Sequence, residues 1–101
     1  MKIVGEFDVD SIFKLTGFGI IIAGRIVNGV IRSGDLIDIE FKDGVEQFEI
    51  SGVEHILTSA SNPDPYAFGL LIKSLSSQEE KKLCARTIVQ KITEVKSMKN
   101  N

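Results

Sequence analysis

The stretch FKLTGFGIIIAGRIVNGVIRSGDLIDI, residues 13–39, decides the fold of this chain. Its turns lie at residues 17–19, 28–29 and 33–35 and are marked by Gly17, Gly19, Gly29 and Gly34. Glycine adopts positive φ angles without steric cost, so tight turns favour it. The segments between these turns are rich in Ile and Val and too short for packed helices. The stretch therefore predicts β-strands joined by tight turns.

The flanking sequence continues the strand pattern. Phe7 and Val9 alternate with two aspartates, which is the period-two signature of a half-buried strand. Residues 36–41 alternate in the same way, and a hairpin at residues 43–44 leads into a returning strand at residues 45–50. These segments predict a meander of antiparallel strands.

The apolar run of residues 20–27 indicates that the sheet closes on itself. A strand that is apolar on both faces is central in a sheet or lines a barrel. Gly24, in the middle of the run, predicts a bend or a close approach of two backbones. An open sheet with so many Ile and Val residues would expose an edge strand that is prone to aggregate with other chains. We therefore predict an all-β fold, a small closed antiparallel β-barrel of six or seven strands.

The remaining elements follow from local signals. Asn28 and Gly29 predict a two-residue hairpin, and Gly52 predicts an interruption before the next strand. Ser76 and Glu79 have the spacing of a capping box, which predicts a single helical turn. The other predicted elements are a strand at 53–57, a loop at 58–65, a strand at 66–75 and a last strand at 83–92. A single domain spans residues 1–95, and residues 96–101 form a frayed tail.

Composition restricts the class of protein. A chain of 101 residues with 43% hydrophobic residues is one globular domain, and it has no apolar run of about 18 residues that would span a membrane. The N-terminus turns acidic too early for a signal peptide, and Cys84 has no second cysteine for an internal disulfide. These features predict a cytoplasmic protein. The net charge is −2, without a dense block of Lys and Arg that would attract nucleic acid.

Two segments resemble a known family. FKLTGFGIIIAGRI, residues 13–26, followed by GVIRSGD, residues 29–35, is similar to the second domain of translational GTPases such as elongation factor Tu. The likeness continues at residues 52–54 and 68–73 and covers about residues 6–90. It implies a six-stranded antiparallel barrel of the translation-protein type. In the elongation factor this barrel holds the acceptor end of aminoacyl-tRNA, and elsewhere in the family it contacts the ribosome or other factors.

The positions that would bind aminoacyl-tRNA carry different residues from those of the family pattern. The acidic pair of the family pattern falls at Asp10 and Ser11, the pocket threonine at Ala23, the pocket asparagine at Ala67 and the turn arginine at Phe18. Methyl groups cannot donate the hydrogen bonds that read an amino group and an ester. The chain also lacks a G-x-x-x-x-G-K-[ST] loop, which predicts that it does not bind GTP.

Catalytic chemistry is not predicted. His55 is the only histidine, and Glu54 beside it would point to the opposite face of a strand. Cys84 has no histidine or second cysteine nearby to form a nucleophilic or redox pair. The aspartates do not follow the spacing of a calcium loop. We therefore predict neither an enzyme nor a cofactor or metal site.

A binding role is predicted instead. Phe18, Tyr66 and Phe68 either plug a barrel end, form a surface for a protein partner or for self-association, or bind a small ligand. The principal hypothesis is a protein-interaction module, with a homo-oligomer as one form. The alternative is an RNA-, tRNA- or ribosome-associated module, which requires Arg25, Arg32, Lys73 and Arg86 to converge on one face.

Overall fold

Six strands and one helix make up the described part of the chain. A computed structural model describes residues 2–56, 66–73, 75–85, 88 and 91–98. The elements are β1 (Lys2–Leu15), β2 (Gly19–Gly29), β3 (Leu36–Phe41), β4 (Gly44–His55), β5 (Ala67–Ile72), α1 (Ser77–Cys84) and β6 (Ile92–Ser97). The strands pair antiparallel in the closed order β1-β2-β5-β4-β3-β6. The predicted all-β fold and closed six-stranded antiparallel barrel are confirmed.

Every strand contributes to one core. Each supplies a residue with no exposed surface, and these are Phe7, Ile22, Ile37, Ile50, Leu70 and Val95. Alternate positions point inward because successive side chains of a strand face opposite sides of the sheet. Burying each of these side chains contributes roughly 1.5–3 kcal/mol, so the barrel interior is the main source of stability.

At Gly24 the backbones of β1 and β2 approach each other closely. Gly24 pairs with Val9 on one side and with Phe68 on the other, next to a register shift between Val9 and Ser11. A Cβ atom placed on Gly24 would overlap the carbonyl oxygen of Asp8. The predicted close approach of two backbones at this glycine is confirmed.

The predicted hairpin at Asn28 and Gly29 is wrong. β2 pairs with β1 and β5, whereas β3 pairs with β4 and β6, so residues 30–35 connect two strands that are not neighbours. Gly29 has φ 77°, and the amide of Val30 donates to the Val4 carbonyl at 3.2 Å. A Cβ on Gly29 would overlap that same carbonyl oxygen. Gly29 therefore allows the chain to pass close to the backbone of β1, and it does not form a hairpin.

Gly34 forms a turn, whereas Gly52 lies within a strand. Gly34 has φ 95° and donates its amide to the Ile50 carbonyl at 2.7 Å, which confirms the predicted turn at residues 33–35. The predicted interruption of the strand at Gly52 is wrong. β4 continues through it with a register shift between Ile50 and Gly52, which is a β-bulge.

The end of the chain differs from the sequence prediction. The capping box at Ser76 and Glu79 is confirmed, but α1 continues to Cys84, for two turns instead of one. Leu83, predicted to begin the last strand, is a helical residue with no exposed surface. The last strand is β6, which runs two residues beyond the predicted domain end at residue 95.

Two other predicted elements end at different residues in the structure. Lys96, assigned to a frayed tail, forms an ion pair with Asp38 at 2.7 Å within the barrel wall. The predicted strand at residues 66–75 is shorter and spans Ala67–Ile72. The predicted loop at residues 58–65 lies outside the described residues.

Lys82 fastens α1 to the β3–β4 hairpin. Its Nζ lies 2.8 Å from Glu46 Oε2 and 3.1 Å from Asp43 Oδ2, and 4.6 Å from the centroid of the Phe41 ring. Hydrogen bonds to Glu46 and then to Asp43 raise the pKa of Lys82 above 10.5. The hydrogen bond from Lys82 likewise lowers the pKa of Asp43 below 3.8. Both partners are therefore charged in neutral solution.

Replacing Lys82 by methionine is expected to make the free energy of unfolding depend less on pH in the acid range. A carboxylate with a lowered pKa contributes stability above its unfolded value, and the contribution is lost as the pH falls through the lowered value. The raised pKa of Lys82 acts only in alkali, so it does not affect this window. In urea titrations from about pH 7 to about pH 2, wild type and Lys82→Met should differ most above about pH 4.

The difference should shrink as the pH falls below that value and as salt is added, since exposed ion pairs are screened. Methionine keeps an apolar stem over Phe41, so the comparison isolates the charge. Parallel curves over the whole pH range would contradict this account of the Lys82 contacts.

Candidate binding groove

An apolar hollow of about 530 Å³ lies on the outside of the barrel, across β1, β2, β5 and β4. We call it the apolar groove. Outer faces of barrels in water are usually polar, so its composition is informative. Among its described lining residues only Glu54 carries a charge. The groove is lined by Phe13, Leu15, Phe18, Ile21, Glu54, Ile56, Gly69 and Leu71.

Strand register explains how the apolar groove forms. Phe13 lies opposite Ile21, and Ile21 lies opposite Leu71, so one row of apolar side chains crosses three strands. These residues alternate with inward-facing ones such as Ile20 and Leu70, which fill the core. The row continues to Gly52 on β4, which adds no side chain.

Glycine deepens the groove at its centre. Gly69 lies in the next row and is buried, although it faces outward between Ala23 and Glu54. A Cβ on Gly69 would lie 3.2 Å from Ile21 Cγ2, so the floor already closes tightly under the missing side chain. The groove is therefore a depression with a fixed floor rather than a gap between flexible side chains.

Phe18 projects from the β1–β2 turn at one end of the groove. The turn is held by Gly17 and Gly19, with φ 87° and 94°, and by the Phe18 amide, which donates to the Leu15 carbonyl at 2.9 Å. Phe18 is 64% exposed, so it does not plug the barrel. Phe13 and Leu15 are also exposed, by 41% and 43%. Burying one such side chain fully is worth roughly 1.5–3 kcal/mol, part of which the isolated chain does not gain.

The three predicted aromatic residues do not act together. Tyr66 is 56% exposed, and its carbonyl accepts a hydrogen bond from the Ile26 amide. Ile26 lies seven residues beyond Gly19, so Tyr66 and Phe18 lie near opposite ends of β2, roughly 20 Å apart. Phe68 packs against the core and the ring of His55, with centroids 5.1 Å apart. Of the three, only Phe18 lines the apolar groove.

The predicted basic residues are dispersed. Arg25 pairs with Ala67 at the start of β5, whereas Lys73 follows the last residue of that strand. Six residues of extended chain separate those two positions, or roughly 20 Å. Lys73 donates its amide to the Glu49 carbonyl, and its Nζ pairs with Glu49 at 3.5 Å. Arg32 is connected to the same part of β4 through Asp35, whose carbonyl accepts from the Ile50 amide. Arg25 thus lies apart from the other two, and Arg86 is outside the described residues.

A second hollow, of about 490 Å³, shares Phe13 and Ile56 with the apolar groove. It gathers Asp10, Ala23 and Ala67, three of the five positions at which the resemblance placed aminoacyl-tRNA contacts. Its floor is made of methyl groups and glycine instead of hydroxyl and amide groups. Ala23 and Ala67 therefore supply no hydrogen-bond donor or acceptor from their side chains, while Asp8, Arg25 and Lys91 give the hollow charged groups at other positions.

An acidic hollow of about 360 Å³ lies where β3 and β6 separate. Those strands pair through Leu36 with Lys96 and through Ile37 with Val95. The hollow is lined by Glu6, Asp38, Glu40, Val45, Ile92, Thr93 and Glu94, and Glu6 faces Glu94 directly across strands. We call it the acidic groove. In the six-membered ring of strands, the β3–β6 seam is opposite the β2–β5 seam, so the acidic and apolar grooves lie on opposite sides.

The residues considered for catalysis have structural surroundings. The His55 ring stacks edge-on against Phe68, and Cys84 is exposed as the last residue of α1. Within the described ranges, no group of three or more His, Cys, Asp and Glu side chains could hold a metal ion. That part of the chain also contains no helix long and apolar enough to cross a bilayer. The absence of enzymatic activity stays a prediction.

Sequence reasoning identified Phe18 but missed most of the groove. Phe13, Leu15 and Ile21 come together through the pairing of β1 with β2, and Leu71 joins them only because β5 pairs with β2. One signal was available, since Phe13 and Leu15 are two residues apart and alternate with Ile12 and Lys14. A strand with apolar residues on its outward positions indicates a second buried face.

Comparison of the chain with models of known protein families gives no match, and no curated protein sequence matches it either. The fold and the site define a small closed β-barrel with an apolar groove on one side and an acidic groove on the other. The likeness to the second domain of translational GTPases stays a prediction from the residues.

Proposed function

We propose that this chain is a non-catalytic binding module that docks a protein partner on the apolar groove. The observation that carries the proposal is the exposure of Phe18, Phe13 and Leu15 around a floor closed by glycine. Exposed aromatic and aliphatic side chains in one patch are typical of protein interfaces. The turn that presents Phe18 is closed by the hydrogen bond from its amide to the Leu15 carbonyl, so its backbone is already ordered before a partner covers it.

The resemblance supports the same function. A barrel of the translational GTPase type is a docking domain rather than a catalytic one. Here the positions that would contact RNA carry methyl groups at Ala23 and Ala67 and a phenyl ring at Phe18. Each change replaces a polar group by an apolar one and favours a protein surface over a nucleic acid. The separation of Arg25 from Lys73 also favours a protein partner over RNA.

Affinity capture with matched variants tests this function. Wild type, Phe18→Ser and Val45→Ser would be immobilised and exposed to lysate from the native source, and retained proteins quantified by mass spectrometry. Val45 is 59% exposed but lines the acidic groove, so it controls for loss of an exposed apolar residue. At least one protein should be retained about tenfold less by Phe18→Ser, which corresponds to about 1.4 kcal/mol. Retention by Val45→Ser should match wild type.

Two results would contradict the proposed function. Wild type could retain nothing above background, or the two serine variants could retain the same proteins equally. Both variants change exposed side chains, so their thermal midpoints should stay close to that of wild type.

A further inference from the structure

We propose that the occupant of the apolar groove is a second copy of this chain, paired about a twofold axis. The inference rests on the proposed function, because it names the partner of the same groove. In this dimer, Phe18 of each copy enters the groove of the other. Three features of the described residues support it: shape, area and charge.

The apolar groove is complementary in shape to itself. Twofold pairing requires that one surface patch carries both a projection and the depression that receives it. Phe18 is the projection, fixed by the turn between Leu15 and Gly19. The depression lies beside it, and its floor is at Gly69, where Ile21 packs against the position of the missing side chain. Because both features lie on the same face, a single twofold contact satisfies both copies at once.

The exposed apolar area of the groove is consistent with a weak dimer. A phenylalanine presents on the order of 200 Å², so Phe13 and Phe18, which are 41% and 64% exposed, together expose roughly 200 Å². Leu15 and the partly covered Leu71 and Ile56 extend this to roughly 300 Å² or more, the size of a functional apolar patch. A twofold contact between two such patches would bury roughly 600 Å² of apolar surface, less than a standard interface, so the dimer is expected to be weak.

Charge favours the twofold arrangement over an open chain of copies. Pairing through the β2–β5 side leaves both acidic grooves on the outside, separated by more than the Debye length of about 8 Å. Docking the apolar groove of one copy on the acidic groove of another would instead press Glu6 and Glu94 against hydrocarbon. Desolvating unpaired carboxylates is unfavourable. The geometry therefore points to a closed dimer and not to a filament.

Sedimentation velocity and equilibrium on the purified full chain test the dimer. From about 1 μM to about 1 mM, wild type should pass from one chain mass to two, as expected for an interface at the lower limit of size. Phe18→Ser should raise the dissociation constant at least about tenfold. Val45→Ser should dimerise like wild type, and circular dichroism should show that all three proteins keep the same fold.

The outcomes separate this inference from the proposed function. Wild type that remains one chain at the highest concentration overturns the dimer, while the proposed function stands if another protein is captured through Phe18. A dimer that persists in Phe18→Ser overturns the groove as its interface. Oligomers that grow with concentration overturn the twofold arrangement. A dimer that dissociates only in Phe18→Ser supports it.

Discussion

Replacing Gly24 by alanine is expected to lower the free energy of unfolding by about 3 kcal/mol or more. The new Cβ would overlap the carbonyl oxygen of Asp8 and lie 3.0 Å from the ring of Phe7. A carbonyl within a strand pair cannot turn away without breaking the β1–β2 ladder. Gly24 is also paired to Phe68 on its other side, so β2 cannot retreat from β1 either. The contact must be relieved by separating strands.

Gly52→Ala is the matched control. A Cβ at Gly52 meets the side chain of Leu71 at 3.7 Å, which is an ordinary contact, and Gly52 is not among the glycines with positive φ. Alanine is favoured over glycine within strands by roughly 0.5–1 kcal/mol, so this variant should be neutral or slightly more stable. Urea denaturation measures both, and in a domain of this size 3 kcal/mol corresponds to a thermal midpoint lower by roughly 12–24 °C. Equal effects of the two substitutions would contradict the close approach at Gly24.

The second large effect is expected at Leu83. Its replacement by alanine should lower the free energy of unfolding by about 2–5 kcal/mol, the usual range for a fully buried leucine. Leu83 is the buried residue of α1 and belongs to the same core cluster as Phe7 and Val95. An eight-residue helix is not stable alone, so α1 depends on this packing. Removing the side chain leaves a cavity and weakens the hold of the helix on the barrel.

Cys84→Ala is the control for Leu83→Ala. Cys84 is the next residue of the same helix but is exposed, so its replacement should change stability by less than about 0.5 kcal/mol. Urea denaturation followed by far-ultraviolet circular dichroism measures both variants. If Leu83→Ala were as stable as Cys84→Ala, Leu83 would not be part of the core, and the position of α1 would be wrong.

Local rules predicted the elements whose signals are contained within a few residues. The capping box needs only Ser76 and Glu79, and the turn at Gly34 needs only its own backbone conformation. Gly24 was also predictable, because a glycine inside an apolar strand usually marks a bend or a close approach of two backbones. The closed barrel followed from the number of apolar strands and the need to cover their edges.

Predictions failed where a distant strand competes with a local signal. Asn28 and Gly29 have the composition of a hairpin, yet β5 takes the place beside β2 and β6 the place beside β3. Leu83 was assigned to a strand because residues 83–92 alternate loosely, whereas it lies in the helix that begins at the Ser76 cap and packs into the core. Lys96 was assigned to a tail because its partner, Asp38, is far away in sequence.

The sequence by itself determined that the chain forms antiparallel strands joined by tight turns, because turn chemistry and the alternation of apolar residues act between neighbours in the chain. Only the tertiary structure decided which strands are adjacent, and with them the apolar groove. Phe13, Ile21 and Leu71 lie on three strands, and each appears in the sequence as an ordinary apolar residue. Their alignment in one row depends on the free energy of closing the whole ring, which no short segment encodes.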